Sequence, residues 1–401
     1  MSRILVWSPN YAPELTGIPP LVTDACDWLA ARGHSVEAIT AFPNYPERTI
    51  HAGYRGRLSV TERRGAVRVQ RTWLRVRPGE RFVDKALYEL SFTGLSAPRV
   101  ARRVRRADVL VCLVPCLSAA LAGAALVRTT RPRTRLVLWV QDLVLRAAST
   151  LPDLGPAARR LIHLAGGIEA AAFRPADRVV VCSPAFSEYV AGLGVERSRI
   201  RLIYNWVDLE RVAQGPPREH TRPIRFLYAG NLGYTQGFAT LIDAARLVGD
   251  DIQLQIVGAG NVAATVRRLA AATTNVRVSA PVPGDEYPDL LVSADVHVVV
   301  QRGVSANANF PSKIASYLAS GRPVVASISA DSTAASVLAD SGGALVVSPD
   351  DPVALADAMR TLAAQPGLRQ ELGQRGRAYA EETFDREREL ARLERALTGS
   401  H

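Results

Sequence analysis

Lysine is almost missing from this chain. Of its 49 basic residues only Lys85 and Lys313 are lysines, and arginine supplies the rest. The formal charge of +11 comes with abundant Ala and Pro, a skew that reads as codon usage rather than as the footprint of a polyanion. No nucleic-acid partner is expected. Cysteine is equally scarce: Cys26, Cys112, Cys116 and Cys182 make no Cys-x-x-Cys pair and no zinc-like spacing, which speaks against a disulfide scaffold and a thiolate metal site. The chain opens on the strand-like Ile4-Leu-Val-Trp7, without a charged segment leading into an apolar one. A reducing, cytoplasmic compartment without a secretory signal is therefore expected. Only Val109 to Val127 forms a long run without charge, long enough to raise the question of a membrane span. Pro115 interrupts it, β-branched and apolar residues precede the proline, and Ala and Gly follow. Strand, turn and helix are expected instead.

Apolar content is ample. At 48% of 401 residues it suffices for two sizeable cores. Short apolar runs at 3–7, 35–40, 66–72, 107–114, 135–140, 177–182 and 200–203 alternate with helical patterns. A Pro- and charge-rich patch, 215–223, interrupts them. The alternation restarts at 224–230, 252–258, 275–280, 294–300, 322–327 and 343–348. Such alternation predicts parallel, doubly wound sheets. The expected fold is α/β with two Rossmann-like domains, 1–205 and 224–375, joined by a linker at 206–223. Ligands of such sheets sit beyond the carboxyl ends of the strands, so a cleft between the domains is the expected site. The terminal helical pattern, 376–401, has no strand after it and is expected to pack back on the first domain.

One of the two lysines stands in the most telling segment, Phe310 to Ala326. Pro311 and Ser312 suit a helix's first turn, Ile314, Tyr317 and Leu318 have helical spacing, Gly321 ends the helix, and Pro323-Val-Val-Ala326 starts a strand. A helix N-terminus offers free N–H groups to a phosphate, and Lys313 would add a compact ammonium. The alternative is a solvated surface charge. Three loops carry glycine after a strand. Gly258-Ala-Gly260-Asn-Val-Ala263 matches a relaxed dinucleotide pattern, but no acidic residue follows at the ribose-binding distance, so a tight turn is preferred. The loops 8–17, ending at Gly17, and 229–237, with Gly230, Asn231, Gly233 and Gln236, open the two halves in matching positions. Both are expected to approach a ligand.

Across roughly Ile4 to Phe384 the chain resembles the retaining glycosyltransferases of family 4, which have the GT-B fold. The resemblance rests on Tyr11-x-Pro13, Leu29-x-x-Arg32-Gly33-His34-x-Val36, Ser183, Tyr204-Asn205-x-Val207-Asp208, Gly230-Asn-x-Gly233, Gly258-x-Gly260, Ala294-Asp295 and Gly321-Arg-Pro-Val-Val325. Pro13-Glu-Leu-Thr-Gly17, Gln141-Asp142-Leu143 and Pro311-Ser-Lys313 look most like exopolysaccharide transferases of the colanic-acid type. It implies that Gly17, the turn Pro311-Ser312-Lys313 and Arg302 meet the diphosphate of a nucleotide-sugar donor, whose leaving group gains negative charge. It places Asp142 beside the transferred sugar, where it would orient a hydroxyl or act as a base; the alternative is a helix N-cap. His34, at a helix-to-strand turn, is expected to be structural. No Asp-x-Asp motif is present, so a metal-independent reaction without cofactor is expected, by front-face substitution in which the leaving phosphate helps deprotonate the acceptor.

The pattern also departs from the family. The two glutamates usual there fall near Ala308 and at Ser316. Asn307 or Asn309 would then contact the sugar, and Ser316 the ribose. The basic residue usual after the Gly-Asn loop is replaced around Tyr234-Thr235-Gln236, and Pro19-Pro20 is atypical. Two acceptor classes are compatible, a lipid-linked saccharide at the membrane face and a soluble natural product. Arg99, Arg102, Arg103, Arg105 and Arg106, following Phe82, Leu87, Leu90 and Phe92, would give a peripheral membrane contact. A non-catalytic nucleotide-sugar-binding protein or an epimerase of the same fold are the competing functions.

Overall fold

A computed structural model describes residues 1–14, 17–45, 48–77, 82–131, 133–143, 156–212, 222–303 and 313–399. These divide into two compact units: the chain to Ile203 together with the stretch from Leu390 onward, and Tyr204–Glu389.

The first unit is built on strands β1 (Arg3–Trp7), β2 (Ser35–Ala41), β3 (Ser59–Arg64), β4 (Val67–Thr72), β5 (Val109–Val114), β6 (Arg135–Val140), β7 (Arg178–Val181) and β8 (Ile200–Leu202). They form one sheet in the order β3-β4-β2-β1-β5-β6-β7-β8. All neighbours are parallel except β3 and β4. Helices α1 (Ile18–Ala31), α2 (Phe82–Val104), α3 (Leu117–Thr130), α4 (Pro156–Phe173) and α5 (Pro184–Gly192) connect them. A parallel sheet is covered on both faces, so its central strands must be apolar on both. Every residue of β5, Val-Leu-Val-Cys-Leu-Val, is accordingly buried. The uncharged run therefore resolves into β5, a turn at Pro115 and α3. Gly123 of α3 has no room for a side chain, since a Cβ there would lie 2.7 Å from the Cys112 sulfur; the helix thus lies close on its strand.

The second unit has β9 (Ile224–Ala229), β10 (Ile252–Val257), β11 (Val276–Ser279), β12 (Val296–Val300), β13 (Val324–Ser327) and β14 (Ala344–Val347), all parallel, in the order β11-β10-β9-β12-β13-β14. Its helices are α6 (Phe238–Val248), α7 (Ala263–Ala270), α8 (Tyr287–Ser293), α9 (Lys313–Ala319), α10 (Thr333–Ser341), α11 (Pro352–Ala364), α12 (Pro366–Thr383) and α13 (Arg386–Thr398). The two parallel Rossmann-like sheets agree with the expected fold class. Of the segment 206–223, Val207 and Val212 belong to the second unit's core, and 213–221 lies outside the described residues.

Strand order reverses at β1, between β2 and β5, and again at β9, between β10 and β12. The loops leaving the carboxyl ends of these two strands are those that end at Gly17 and begin at Gly230, so each glycine loop sits at its own sheet's switch point.

The terminal helix α13 crosses between the units, and from Leu390 onward it belongs to the first. There Glu394 receives Arg32 Nε at 3.0 Å and His34 Nε2 at 2.8 Å, while His34 Nδ1 accepts from Ser2 N. His34 is a docking residue for the returning helix.

Candidate functional site

In the second unit the glycines are required by close backbone packing. A Cβ on Gly258 would run into the carbonyl oxygen of Gly230, and one on Gly260 into that of Leu232. Gly230 (φ 147°) and Gly260 (φ 154°) also hold a backbone that side chains disfavour. These contacts clamp the loop after β9 onto the loop after β10. The Gly258 motif is thus a packing device, in line with the tight-turn reading.

Lys313 opens α9 and comes to rest on this clamp. A Cβ on Gly230 would lie 3.3 Å from its Nζ, and the ammonium stands 3.6 Å above the centroid of the Tyr228 ring, a cation–π contact. Burial lowers its pKa from the ordinary 10.5 to about 7; among the described residues no carboxylate acts against that shift. Tyr228 is itself fixed, because its hydroxyl donates to Asn231 O at 2.8 Å. Behind it, Tyr317 donates to Ala229 O (3.0 Å) and accepts from Ala229 N (2.8 Å), tying α9 to the end of β9. The other end of α9 is held by α12: Arg377 donates to Ala319 O, and Gly373 leaves room for Gly321.

Further along the loop after β9, Gln236 Oε1 accepts from Gly233 N at 2.9 Å. Arg302 donates its backbone N–H to Thr235 O and lays its guanidinium over the Tyr234 ring at 4.7 Å. The structure therefore sets Lys313 against Gly230, joins Asn231 to the Tyr228 that Lys313 covers, ties Gln236 to Gly233, and holds Arg302 on Thr235 and Tyr234 of the same loop. Ser316, the expected ribose contact, is hydrogen-bonded to the Tyr287 phenol. Asn307, Asn309, Pro311 and Ser312 lie outside the described residues.

In the first unit, Gly17 (φ 79°) caps α1 with no side-chain partner. Pro19 and Pro20, which looked atypical, occupy the first turn of α1, where proline is tolerated. They also remove two of the N–H groups a helix start would offer, leaving those of Gly17 and Ile18. Asp142 follows β6. Its Oδ1 accepts from Leu143 N at 2.8 Å, and burial raises its pKa against the pull of that N–H and of Lys85.

Lys85 also faces Glu89, one turn along α2. Burial pushes the Glu89 carboxyl up to about 7, although the Ser118 and Leu117 N–H groups at the start of α3 stabilise its anion. In the loop after β1, Glu14 is buried and accepts from Asn44 N (2.8 Å) and Tyr45 N (2.9 Å). Lys85, Glu89 and Tyr228 were given no role in the sequence, and Glu14 stood there only inside the motif Pro13-Glu-Leu-Thr-Gly17. The other local signal is the rarity of lysine at position 85. All lie at the carboxyl edge of their sheet or on helices that cover it. This edge offers one carboxyl, Glu89, poised near neutrality, and burial also raises those of Glu14 and Asp142, which suits holding and deprotonating a hydroxyl. Among the described residues, no group of three or more His, Cys, Asp or Glu is placed to hold a metal ion.

Comparison with known proteins agrees with this geometry. Residues 16–206 match a family model described as glycosyl transferase 4-like domain, and residues 223–365 one described as glycosyl transferases group 1. The chain is similar to the putative colanic acid biosynthesis glycosyl transferase WcaI of Escherichia coli K12, with 30% identity over 99% of this chain and 100% of that one. Among solved structures, sucrose-phosphate synthase from Thermosynechococcus elongatus superposes with a TM-score of 0.74 at 17% identity, covering 98% of each chain. Anabaena HepE in complex with UDP gives 0.71 at 16% identity, over 99% of this chain and 100% of that one. At these identities the structural matches speak for the fold.

Proposed function

The chain belongs to the group 1, 4-like family of glycosyltransferases, and from that premise we propose that it moves a sugar from a nucleoside-diphosphate donor onto a growing cell-surface saccharide, with retention of configuration. The observation that carries the donor half of this reading is Lys313. Its half-buried amine is held at a pKa of about 7 against Gly230 and Tyr228, with no carboxylate beside it among the described residues. A donor diphosphate supplies negative charge there. Protonated Lys313 then stabilises the negative charge that grows on the leaving phosphate as the glycosidic bond breaks. Arg302 and the Gly230 to Gln236 loop position the same group. With basic side chains in this role the reaction runs without a divalent metal.

On the first unit, Asp142 orients a hydroxyl beside the sugar, and the departing phosphate takes the acceptor's proton. No protein nucleophile is needed for retention by this route. That WcaI is named for colanic acid biosynthesis supports a saccharide acceptor. A lipid carrier for it is supported by α2, which exposes Val83, Leu90 and Leu95 ahead of the exposed Arg102, Arg105 and Arg106, a composition suited to an anionic bilayer surface. No described helix is long and apolar enough to cross a membrane.

A thermal-shift panel of UDP-, GDP-, dTDP- and ADP-sugars, run with and without EDTA, tests the proposal. One donor class should raise the melting temperature of the wild type but not of Lys313→Ala, and EDTA should change nothing. An equal shift in the mutant would remove Lys313 from the donor site. A requirement for metal would remove the metal-free mechanism.

A further inference from the structure

The transfer chemistry above gives Tyr234 no task, yet the fold displays it. At 61% exposed it is the one aromatic among the large apolar side chains that the described residues hold out in solvent. It stands on the turn between β9 and α6, beyond the carboxyl end of β9, where the second sheet reverses its strand order. Ligands of such sheets gather there.

The turn is fixed on both sides of the ring. Before it, Leu232 is fully buried, donates its N–H to Ala259 O at 2.8 Å and accepts from Val262 N at 3.1 Å. After it, Phe238 is buried and meets Tyr228 edge-on, with 4.9 Å between the ring centroids. Gln236 closes the turn twice: its N–H bonds Gly233 O at 3.2 Å and its Oε1 accepts from Gly233 N at 2.9 Å. Its Nε2 donates to Thr235 Oγ1 at 3.0 Å. Arg302, leaving β12, donates its N–H to Thr235 O at 2.9 Å and sets its guanidinium 4.7 Å from the centroid of the Tyr234 ring. That cation–π contact holds the ring from one side and leaves the rest of it open. A ring fixed in this way costs a ligand little ordering entropy to use.

We propose that Tyr234 stacks on the ring of the transferred sugar, and that the turn it stands on is the sugar-selecting element of the donor site. The inference rests on the glycosyl-transfer reading above and adds the part of the site that recognises the sugar. In that reading Arg302 positions the leaving phosphate, and the group bound to the leaving phosphate is the sugar itself. The tyrosine that Arg302 holds therefore stands next to the sugar rather than to the base. The chemistry of the turn fits a pyranose, which joins a face of C–H groups to a rim of hydroxyls. The C–H face suits the aromatic ring. The rim finds the Thr235 hydroxyl and the second N–H of the Gln236 amide, whose oxygen is already bound to Gly233. An axial hydroxyl on the stacked face would break the C–H contact, so the ring selects donors whose hydroxyls lie around the rim.

Titration calorimetry on the full chain with matched pairs tests this: UDP-glucose against UDP, GDP-mannose against GDP, dTDP-glucose against dTDP, and ADP-glucose against ADP. Within the pair that binds, Tyr234→Ala should weaken the nucleotide sugar about five- to tenfold, the size of one aromatic contact, and leave the nucleoside diphosphate within about twofold. Tyr234→Phe keeps the stacking face and should match the wild type on both. Equal losses for the nucleotide sugar and the diphosphate in Tyr234→Ala would give the ring to the nucleotide, and unchanged affinity for both would leave it without a ligand. Either result overturns this inference alone. So does Tyr234→Phe behaving as the alanine variant, which would trace the effect to the hydroxyl. A wild type that binds none of these compounds overturns the transferase reading, and this inference with it.

Discussion

At pH 8 the Lys313 amine of the free protein is mostly neutral, because burial brings its pKa to about 7. A donor diphosphate beside it restores the charged form, so binding draws a proton from solution at any pH between the free and bound values. The sign follows directly: affinity is greatest below pH 7 and falls as the pH rises. With the bound pKa returned to the ordinary 10.5, the dissociation constant should grow about a hundredfold between pH 6 and pH 9, approaching tenfold, or about 1.4 kcal/mol, per pH unit. At pH 8 about 0.9 proton should be taken up per donor bound. Titration calorimetry in buffers of different ionisation enthalpy measures that number. The donor itself must be a nucleotide sugar, because its diphosphate diester does not titrate in this range, whereas a free nucleotide does. Lys313→Arg keeps the charge and removes the titration, so its affinity should be flat with pH. Zero proton uptake in the wild type, or the same pH slope in Lys313→Ala, would refute the assignment of the diphosphate to this amine.

Four further outcomes follow from the geometry. Gly258→Ala should destabilise the second unit by about 2 kcal/mol or more, because its Cβ meets the Gly230 carbonyl rather than a side chain that could move; urea unfolding measures this, and near-wild-type stability would show the loop clamp to be soft. Tyr317→Phe leaves both backbone groups of Ala229 buried and unbonded, with an expected cost of about 1 to 3 kcal/mol by the same assay. His297 is buried against Tyr317, and Ser320 Oγ, which donates to Tyr317 O, accepts from its Nε2. Burial and Arg322 hold its pKa near 3. Its contribution to stability is complete above the unfolded value of 6.5 and is lost as the pH falls toward 3. His297→Gln should therefore lose less stability than the wild type between pH 6.5 and 4.5, and identical losses would contradict the buried neutral ring. Asp142→Asn should lower kcat at least about a hundredfold with little change in donor affinity if the carboxylate acts on the reacting sugar; a loss confined to thermal stability would return it to a structural cap.

The strands were legible because parallel sheets write themselves as short, fully apolar runs. Val-Leu-Val-Cys-Leu-Val and Val-His-Val-Val-Val need no context. Ser59–Arg64 escaped notice for the opposite reason. Ser-Val-Thr-Glu-Arg-Arg is an antiparallel edge strand with one side in solvent, and its charges protect the edge rather than announce a strand. In the site, glycine and lysine were legible because their chemistry is local. The lysine's perturbation was not, since it comes from burial, which arises only when β9 and α9, far apart in sequence, come together. Glu89 is a similar case: nothing around it in sequence distinguishes it from any helical glutamate, and its shift arises from burial at the start of α3. The linker was read from composition, yet Val207 and Val212 are core residues, because two buried valines carry too little pattern to be seen beside prolines and charges.

The scarcity of lysine has a practical meaning. A protein with only two lysines presents an acylating reagent with two side-chain amines besides its N-terminus, and the one at position 313 has its pKa near 7. An amine that loses its proton at neutrality acylates under mild conditions, so an amine reagent that reaches it should prefer Lys313 to Lys85. The extent of modification of the peptide that begins α9, followed by mass spectrometry, then serves as a footprint of donor occupancy that requires no knowledge of the acceptor.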